Sequence, residues 1–372
     1  MSIHPNTVPH DIPAIAAQFD LRGDFINATA YGSGNINDTF AITCDQAGVR
    51  VRYILQRVNH HVFKNTAGVM ENVARICRHT LRRLQVDGVP DAARRTLTLV
   101  PSRTGADWFV DAGGNHWRVF LFIELARSYD VIETTEQARA AAEAFGNFTK
   151  LLVDLPGGRL VETIPNFHNT MWRYGEFQRA LASDARNRAR DVRDEIAFLQ
   201  ERKADCSVVV DAIARGEIPE RVTHNDTKLN NILIDNRTQR ALCVIDLDTA
   251  MPGSALYDFG DMVRSATSPV GEDERDLRKV VCRPGYFKAL ALGYLAALGG
   301  TLNKAEKALL PFSGKLLALE LGMRFLTDYL DGDVYFKTTR PGHNLDRCRN
   351  QFALARSIET QMEAMARVVD SL

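Results

Sequence analysis

The densest chemical pattern in the chain is Thr223-His224-Asn225-Asp226-Thr227-Lys228-Leu229-Asn230-Asn231, followed after a turn by Val244-Ile245-Asp246-Leu247-Asp248-Thr249. Asp226 and Asn231 stand five residues apart, and Asp246 follows fifteen residues later at the end of an apolar run. Transfer of a phosphoryl group to an alcohol needs this set. One carboxylate, Asp226, orients a hydroxyl and takes its proton, while an amide oxygen (Asn231) and a second carboxylate (Asp246) hold Mg²⁺ on nucleotide phosphates. Asn and Asp alone would serve as turn formers and caps. The histidine two residues before the Asp, the flanking apolar runs and the following apolar-Asp-x-Asp argue instead for a site. His224 itself reads as a buried imidazole bracing the loop.

A second candidate lies upstream, at Tyr31-Gly32-Ser33-Gly34-Asn35-Ile36-Asn37-Asp38-Thr39-Phe40. Glycine lets backbone approach an anion, and successive amides can point at it. Gly32, Ser33, Gly34, Asn37 and Thr39 are therefore expected to cover the phosphates of ATP. The strand ending Tyr53-Ile54-Leu55-Gln56-Arg57 offers Arg57 as a phosphate cation where protein kinases use lysine, and arginine stays charged when desolvated. Glu71, fourteen residues on, is its expected partner on a helix, against the alternative of two unrelated surface charges. Phe120-Leu121-Phe122-Ile123-Glu124-Leu125 is where a hinge would meet adenine, with Phe122 and Glu124 as contacts.

These motifs need elements to carry them. Before residue 125 lie short β-type runs at 40–42, 49–56, 97–100, 108–110 and 117–123, with turn residues Gly113-Gly114-Asn115 and one helix from Val62 to Leu84. Beyond it the periodicity is helical over 135–153, 170–203, 255–265, 283–300, 304–331 and 345–371, broken by β-type runs at 231–235 and 241–246. The expected fold is α+β and two-lobed, protein-kinase-like: a small antiparallel β N-lobe with one helix over residues 1–124, and a larger, mainly helical C-lobe over 125–372.

Composition narrows the partners. The 372 residues carry 46 Lys+Arg against 46 Asp+Glu, a formal charge of zero. That excludes a nucleic-acid binder held by bulk charge, which needs a cationic surplus. Hydrophobic residues at 45% and charged ones at 25% describe a globular chain with a large core. The six cysteines form no C-x-x-C pair and read as small buried hydrophobes. The N-terminus lacks the pattern of a secretory signal, and the uncharged run Ala289 to Asn303 is too short to span a bilayer, so a cytoplasmic protein is expected.

Taken together, the motifs resemble the aminoglycoside-phosphotransferase-like branch of the kinase superfamily, which includes choline, fructosamine, homoserine and methylthioribose kinases. Within it the chain looks most like N-acetylhexosamine 1-kinases. The resemblance runs from Tyr31 to about Gln361 and is most specific at Gly32 to Thr39, at His224 to Asn231 with Val244 to Gly253, and at Arg324 to Phe336. It departs at Asn225, where most of the superfamily has Gly; Asn tolerates left-handed backbone better than most residues. The resemblance implies Asp226 as catalytic base, Asn231 and Asp246 as Mg²⁺ ligands, and Arg324 and Tyr335 as sugar contacts, with Asn35 or Asn37 reaching the sugar from the glycine-rich loop. The implied reaction moves the ATP γ-phosphoryl group to the anomeric hydroxyl of N-acetylglucosamine or N-acetylgalactosamine. An aminoglycoside, choline, methylthioribose or another sugar stays open as acceptor, as does a silent nucleotide-binding scaffold. The cation Arg324 would disfavour a cationic acceptor.

Overall fold

The computed structural model describes residues 10–32, 36–129 and 131–372. The chain divides into two compact units. The first reaches to Ala126 and takes in Leu155–Gly157 and Val161–Ile164; the second holds Arg127–Asp154, Gly158–Leu160 and Pro165–Leu372.

In the first unit, a short helix α1 (Ile12–Ala16) precedes the strands β1 (Asp24–Ala30), β2 (Asp38–Gln46) and β3 (Val49–Val58). Helix α2 (Thr66–Val86) follows, then β4 (Leu99–Val100), β5 (Phe109–Val110) and β6 (His116–Leu121). These strands form one antiparallel sheet in the order β1-β2-β3-β6-β4, with β5 on β6. Its two faces separate by residue parity. Ile42, Cys44, Tyr53, Leu55, Trp117 and Val119 pack with Ile15, Ala16 and Phe19 on one side. Arg118, on the opposite face of β6, approaches the Met70 sulfur of α2 at 3.9 Å. Asn65 starts α2 by accepting from the Gly68 amide, 3.0 Å away. The buried Asn72 ties the helix down through both amide groups to Val161.

Strand β1 gave no sequence signal because it is an edge strand with little burial, so Asp24–Ala30 shows no alternation of apolar and polar positions. The remaining β-type runs correspond to β2, β3, β4, β5 and β6 with ends shifted by a few residues.

After β7 (Ala126–Arg127), the second unit runs through α3 (Thr135–Leu151), α4 (Thr170–Ser183), α5 (Arg193–Glu201) and α6 (Val208–Ala214). It continues through β8 (Arg221–Thr223), β9 (Ile232–Asp235), β10 (Ala241–Val244), β11 (Met251–Gly253), α7 (Ala255–Thr267), α8 (Pro284–Leu298), α9 (Lys304–Asp331), α10 (His343–Glu359) and α11 (Met362–Asp370). The expected single helix over 170–203 is two. Asp184 takes a left-handed conformation at φ +36°, its carboxylate accepts from the Arg188 and Ala189 amides, and α4 stops there. The run 345–371 likewise splits between α10 and α11.

Two antiparallel pairs, β8 with β11 and β9 with β10, frame the segment that carries Asp226, Asn231 and Asp246. Helix α9 is the backbone of this unit. Asn303 and Glu306 make a reciprocal capping box at its start. The fully buried Glu306 also takes two bonds from Arg221 of β8, at 2.7 and 2.9 Å. The strand that leads into Thr223-His224 is thereby fixed to the first turn of α9. At Gly260 of α7 an added Cβ would stand 2.4 Å from the Ser313 carbonyl oxygen, so only glycine lets α7 lie this close to α9. All six cysteines are buried. Among the described residues, no helix is long and apolar enough to cross a membrane.

Candidate active site

Within the second unit, the candidate segment runs from β8 through Asp226 into β9 and returns along β10 to Asp246. Three neighbours hold the Asp226 side chain and its surroundings. Asn231 Nδ2 donates to the Asp226 carbonyl oxygen at 2.8 Å and to its Oδ2 at 3.0 Å. Lys228 Nζ lies 3.0 Å from Asp226 Oδ1. The Asp226 amide donates to His224 Nδ1 at 3.3 Å. Burial pulls the Lys228 ammonium down, but the charges of Asp226 and Asp261 outweigh it and its pKa is raised. Asp226 keeps partial contact with solvent.

The loop around it is braced from beneath. Asp258 of α7 accepts from the His224 and Asn225 amides at 3.0 and 2.7 Å, and Asp261 accepts from the Thr227 amide at 2.8 Å. Burial raises the Asp258 carboxyl above its ordinary range, outweighing the backbone donors and His224. Burial pushes Asp261 the same way, but there Arg264 and Lys228 win and the net shift is downward. His224 Nε2 is 2.9 Å from the Ile245 carbonyl oxygen, its ring flanked edge-on by Phe145 and Phe148: a structural imidazole. Asn225 sits at φ +64°, the left-handed region that few side chains enter without strain. Its amide repays this by binding the Thr223 and Thr249 carbonyl oxygens.

Asn231 and Asp246 offer hard oxygens of the kind Mg²⁺ takes. The Asn231 amide nitrogen is spent on Asp226, and its Oδ1 accepts no hydrogen bond among the described residues. Asp246 is exposed, at φ +59°, where the chain leaves β10. No group of three or more His, Cys, Asp or Glu is gathered for a metal among the described residues. Mg²⁺ in nucleotide sites commonly uses one or two protein groups and completes its shell with phosphates and water.

A second cluster lies at the far end of α9. The Arg324 guanidinium carbon is 5.4 Å from the Phe167 ring, 5.9 Å from Tyr335 and 5.4 Å from Phe336. Among the described residues it donates no hydrogen bond and forms no ion pair. Asp328 builds the loop that presents Tyr335: its carboxylate accepts from the amides of Val334, Tyr335 and Phe336 and from Asn344. Gly332, at φ +107°, turns the chain into that loop. The cluster connects to the catalytic segment through buried groups. Glu320, one turn before Arg324 on α9, lies 2.7 Å from His168 Nδ1, and His168 Nε2 lies 3.1 Å from the Asn225 carbonyl oxygen.

In the first unit, the expected Arg57–Glu71 pair is absent. Arg57 Nε donates to Asp38 Oδ2 at 2.8 Å and Nη1 to Asn115 at 3.1 Å. The reason is parity. Arg57 follows Tyr53 and Leu55 at two-residue steps, so it lies on the α1 face, while α2 covers the other face. Glu71 is exposed, and it is its neighbour Asn72 that is buried. Arg118 is a buried cation on the α2 face, 1% exposed and bonded through Nε and Nη2 to Gln56 Oε1. Sequence gave it no role.

Gly32 stands at φ +80°, Asn37 Oδ1 accepts from the Asn59 amide, and Thr39 Oγ1 accepts from Gln56. Ser33, Gly34 and Asn35 lie outside the described residues. Phe122 packs edge-on to Tyr31 and under Arg52, whose guanidinium also binds the Glu124 carboxylate. The Glu124 carbonyl oxygen, an expected adenine contact, accepts from Arg94 at 2.8 Å.

Of the supporting groups in the second unit, Asp258, Asp261 and Glu320 did leave a trace: each is an acid inside an apolar helical run, a placement that demands a partner. His168 and Arg173 left none.

The profile of the family described as "Phosphotransferase enzyme family" matches residues 27–301, nearly three quarters of the chain and all of the catalytic segment. The chain belongs to that family. This phosphotransferase shares its fold with an aminoglycoside phosphotransferase from Alicyclobacillus acidocaldarius, at 15% identity and a TM-score of 0.64 over 99% of this chain and 98% of that one. A spectinomycin phosphotransferase solved with ADP and spectinomycin matches at 13% identity, TM-score 0.52, over 91% and 94%. A choline/ethanolamine kinase family protein from Mesorhizobium loti matches at 14%, TM-score 0.51, over 93% of each chain. The phosphotransferase thus has the small antiparallel sheet and helical second unit of the kinase-like fold.

Proposed function

We infer that this phosphotransferase moves the γ-phosphoryl group of ATP to the anomeric hydroxyl of an N-acetylhexosamine, giving the sugar 1-phosphate and ADP. The observation that carries the acceptor class is Arg324. A half-buried guanidinium over three aromatic rings, with no hydrogen-bond acceptor among the described residues, repels a cationic acceptor such as an aminoglycoside or choline. It has five N–H donors for the oxygens of a neutral sugar, and the rings supply the flat apolar faces on which sugars pack.

Asp226 accepts the proton of the attacking hydroxyl, whose oxygen bonds to the γ-phosphorus as the bond from phosphorus to the ADP oxygen breaks. Asn231 and Lys228 aim the carboxylate, and Asp258 and Asp261 hold the loop so that no reorganisation is needed during transfer. Asn231 Oδ1 and Asp246 would hold Mg²⁺, which offsets phosphate charge when bound. ATP as donor is supported by the ADP found in the spectinomycin enzyme of the same fold.

The test is a phosphorus NMR assay of the purified chain with ATP, Mg²⁺ and a panel of N-acetylhexosamines, plain hexoses, aminoglycosides and choline. A product signal from an anomeric phosphate with N-acetylglucosamine or N-acetylgalactosamine is expected. Turnover confined to an aminoglycoside or choline would refute the acceptor.

A further inference from the structure

Phe167 joins two arginines. Arg173 Nε and Nη2 donate to its carbonyl oxygen at 3.2 and 3.1 Å, while the Arg324 guanidinium lies over its ring. Arg173 also lies 5.0 Å from the ring of Trp172. Both arginines are half-buried. Burial, and after it the positive charge of Arg324, pulls the Arg173 guanidinium down to about 10, against the opposing pull of Glu320 and Tyr335. Arg173 remains a cation at neutral pH.

Two like charges held partly out of water cost free energy unless an oxygen-rich group stands with them. The acid in their surroundings does not fill that place. Glu320 is committed through Oε1 to His168 and through Oε2 to Thr170 at 2.5 Å. Neither arginine has an ion-pair partner among the described residues, and Arg173 Nη1 makes no hydrogen bond there.

We propose that Arg173 is a second acceptor-recognition residue, whose Nη1 donates with Arg324 to the carbonyl oxygen of the sugar's N-acetyl group. The proposal rests on the N-acetylhexosamine reading above. An amide oxygen is a neutral acceptor with two lone pairs, and two guanidinium donors match it. A hydroxyl in the same place brings a proton that neither guanidinium can accept, and a free amine brings a charge that both repel. The exposed faces of Trp172 and Tyr335 beside the arginines suit the acetyl methyl. The pair therefore selects an acylated amino sugar against the plain hexose and against the deacylated sugar.

The experiment compares the wild-type chain with Arg173→Gln and Arg173→Lys, measuring KM and kcat separately for N-acetylglucosamine, N-acetylgalactosamine, glucose, glucosamine and glucuronic acid. Arg173→Gln should raise KM for the N-acetyl sugars by about tenfold or more, the loss expected for a charged hydrogen bond, while KM for glucose moves less than about twofold and kcat changes little. Arg173→Lys keeps the charge without the planar fork and should fall between the two. An equal rise for N-acetyl sugars and glucose would show that Arg173 acts only by holding Phe167, and would overturn the proposal, as would an unmoved KM. A wild-type preference for glucuronic acid overturns the assignment to an amide oxygen. If the wild type ignores N-acetyl sugars altogether, the functional reading falls and takes this proposal with it. If the wild type uses them and Arg173→Gln does so equally well, only the proposal falls.

Discussion

Lys228 Nζ and Asn231 Nδ2 each stand 3.0 Å from a different oxygen of the Asp226 carboxylate. Two donors, one cationic, fix the direction of this carboxylate through charge-assisted hydrogen bonding. Replacing Asp226 by Asn keeps the shape and removes the proton acceptor. Asp226→Asn should lower kcat by about 10²–10⁴, the usual range for a positioned general base, while the ATP dissociation constant stays within about threefold. Single-turnover kinetics with calorimetric ATP titration checks both; near wild-type turnover would remove Asp226 from the mechanism.

His168 and Glu320 tie α9 to the loop that carries Asp226, and their pair gives a signed pH dependence. Burial disfavours the His168 imidazolium, yet the Glu320 charge and hydrogen bond prevail and its pKa rises above the ordinary 6.5. Its stabilising contribution is complete below 6.5 and is lost as pH climbs through the raised value. Burial likewise favours neutral Glu320, but His168 and Thr170 prevail and its pKa falls below 4.5. That contribution is complete above 4.5 and is lost as pH drops through the lowered value. Glu320→Ala should therefore cost about 3–5 kcal/mol between pH 5 and 6, as expected for breaking a buried pair, and less by pH 9. Urea unfolding of both proteins across this range checks it. A deficit that does not vary with pH would show that the pair is not ionised.

The pairing of Asp226 with Asn231 and the hairpin that leads on to Asp246 were legible in the sequence because these residues sit in one short stretch. The long helix 304–331 was legible too, since its periodicity survives Pro311 and its capping residues are local. What failed depended on facts no local pattern holds. Arg57 looked like a partner for Glu71 because it ends the strand before the helix, but which face a strand residue takes is set by register with β2 and β6. His168 and Arg173 acquire meaning only when α4 and the loop before it are brought to α9. The break at Asp184 was hidden because an Asp in left-handed conformation looks like any polar residue on a helix surface.

The Arg57 geometry has its own consequence. Its guanidinium is committed to Asp38 and Asn115 on the face that carries α1. Arg57→Ala should leave ATP affinity within about twofold and, because the Asp38 side chain is 42% exposed, cost no more than about 1 kcal/mol of stability. Calorimetric titration with ATP and a thermal melt decide this. A tenfold loss of ATP affinity would restore Arg57 as a nucleotide contact.

Asn225 combines a conformation that glycine prefers with bonds that glycine cannot make. Its left-handed φ makes a β-branched substitution strained, while its amide holds the Thr223 and Thr249 carbonyl oxygens and its Oδ1 accepts from Thr223 Oγ1 at 3.1 Å. The two effects can be separated. Asn225→Gly keeps the backbone shape and should lose about 1–3 kcal/mol of stability for the buried partners left unpaired, with kcat falling only modestly. Asn225→Val adds strain of about 1–3 kcal/mol and tilts the next residue, Asp226, so kcat should fall further than for the glycine variant at equal folded fraction. Melting curves establish the folded fraction, and initial rates on it give the comparison. Equal rates for the two variants would mean that the left-handed turn does not aim Asp226.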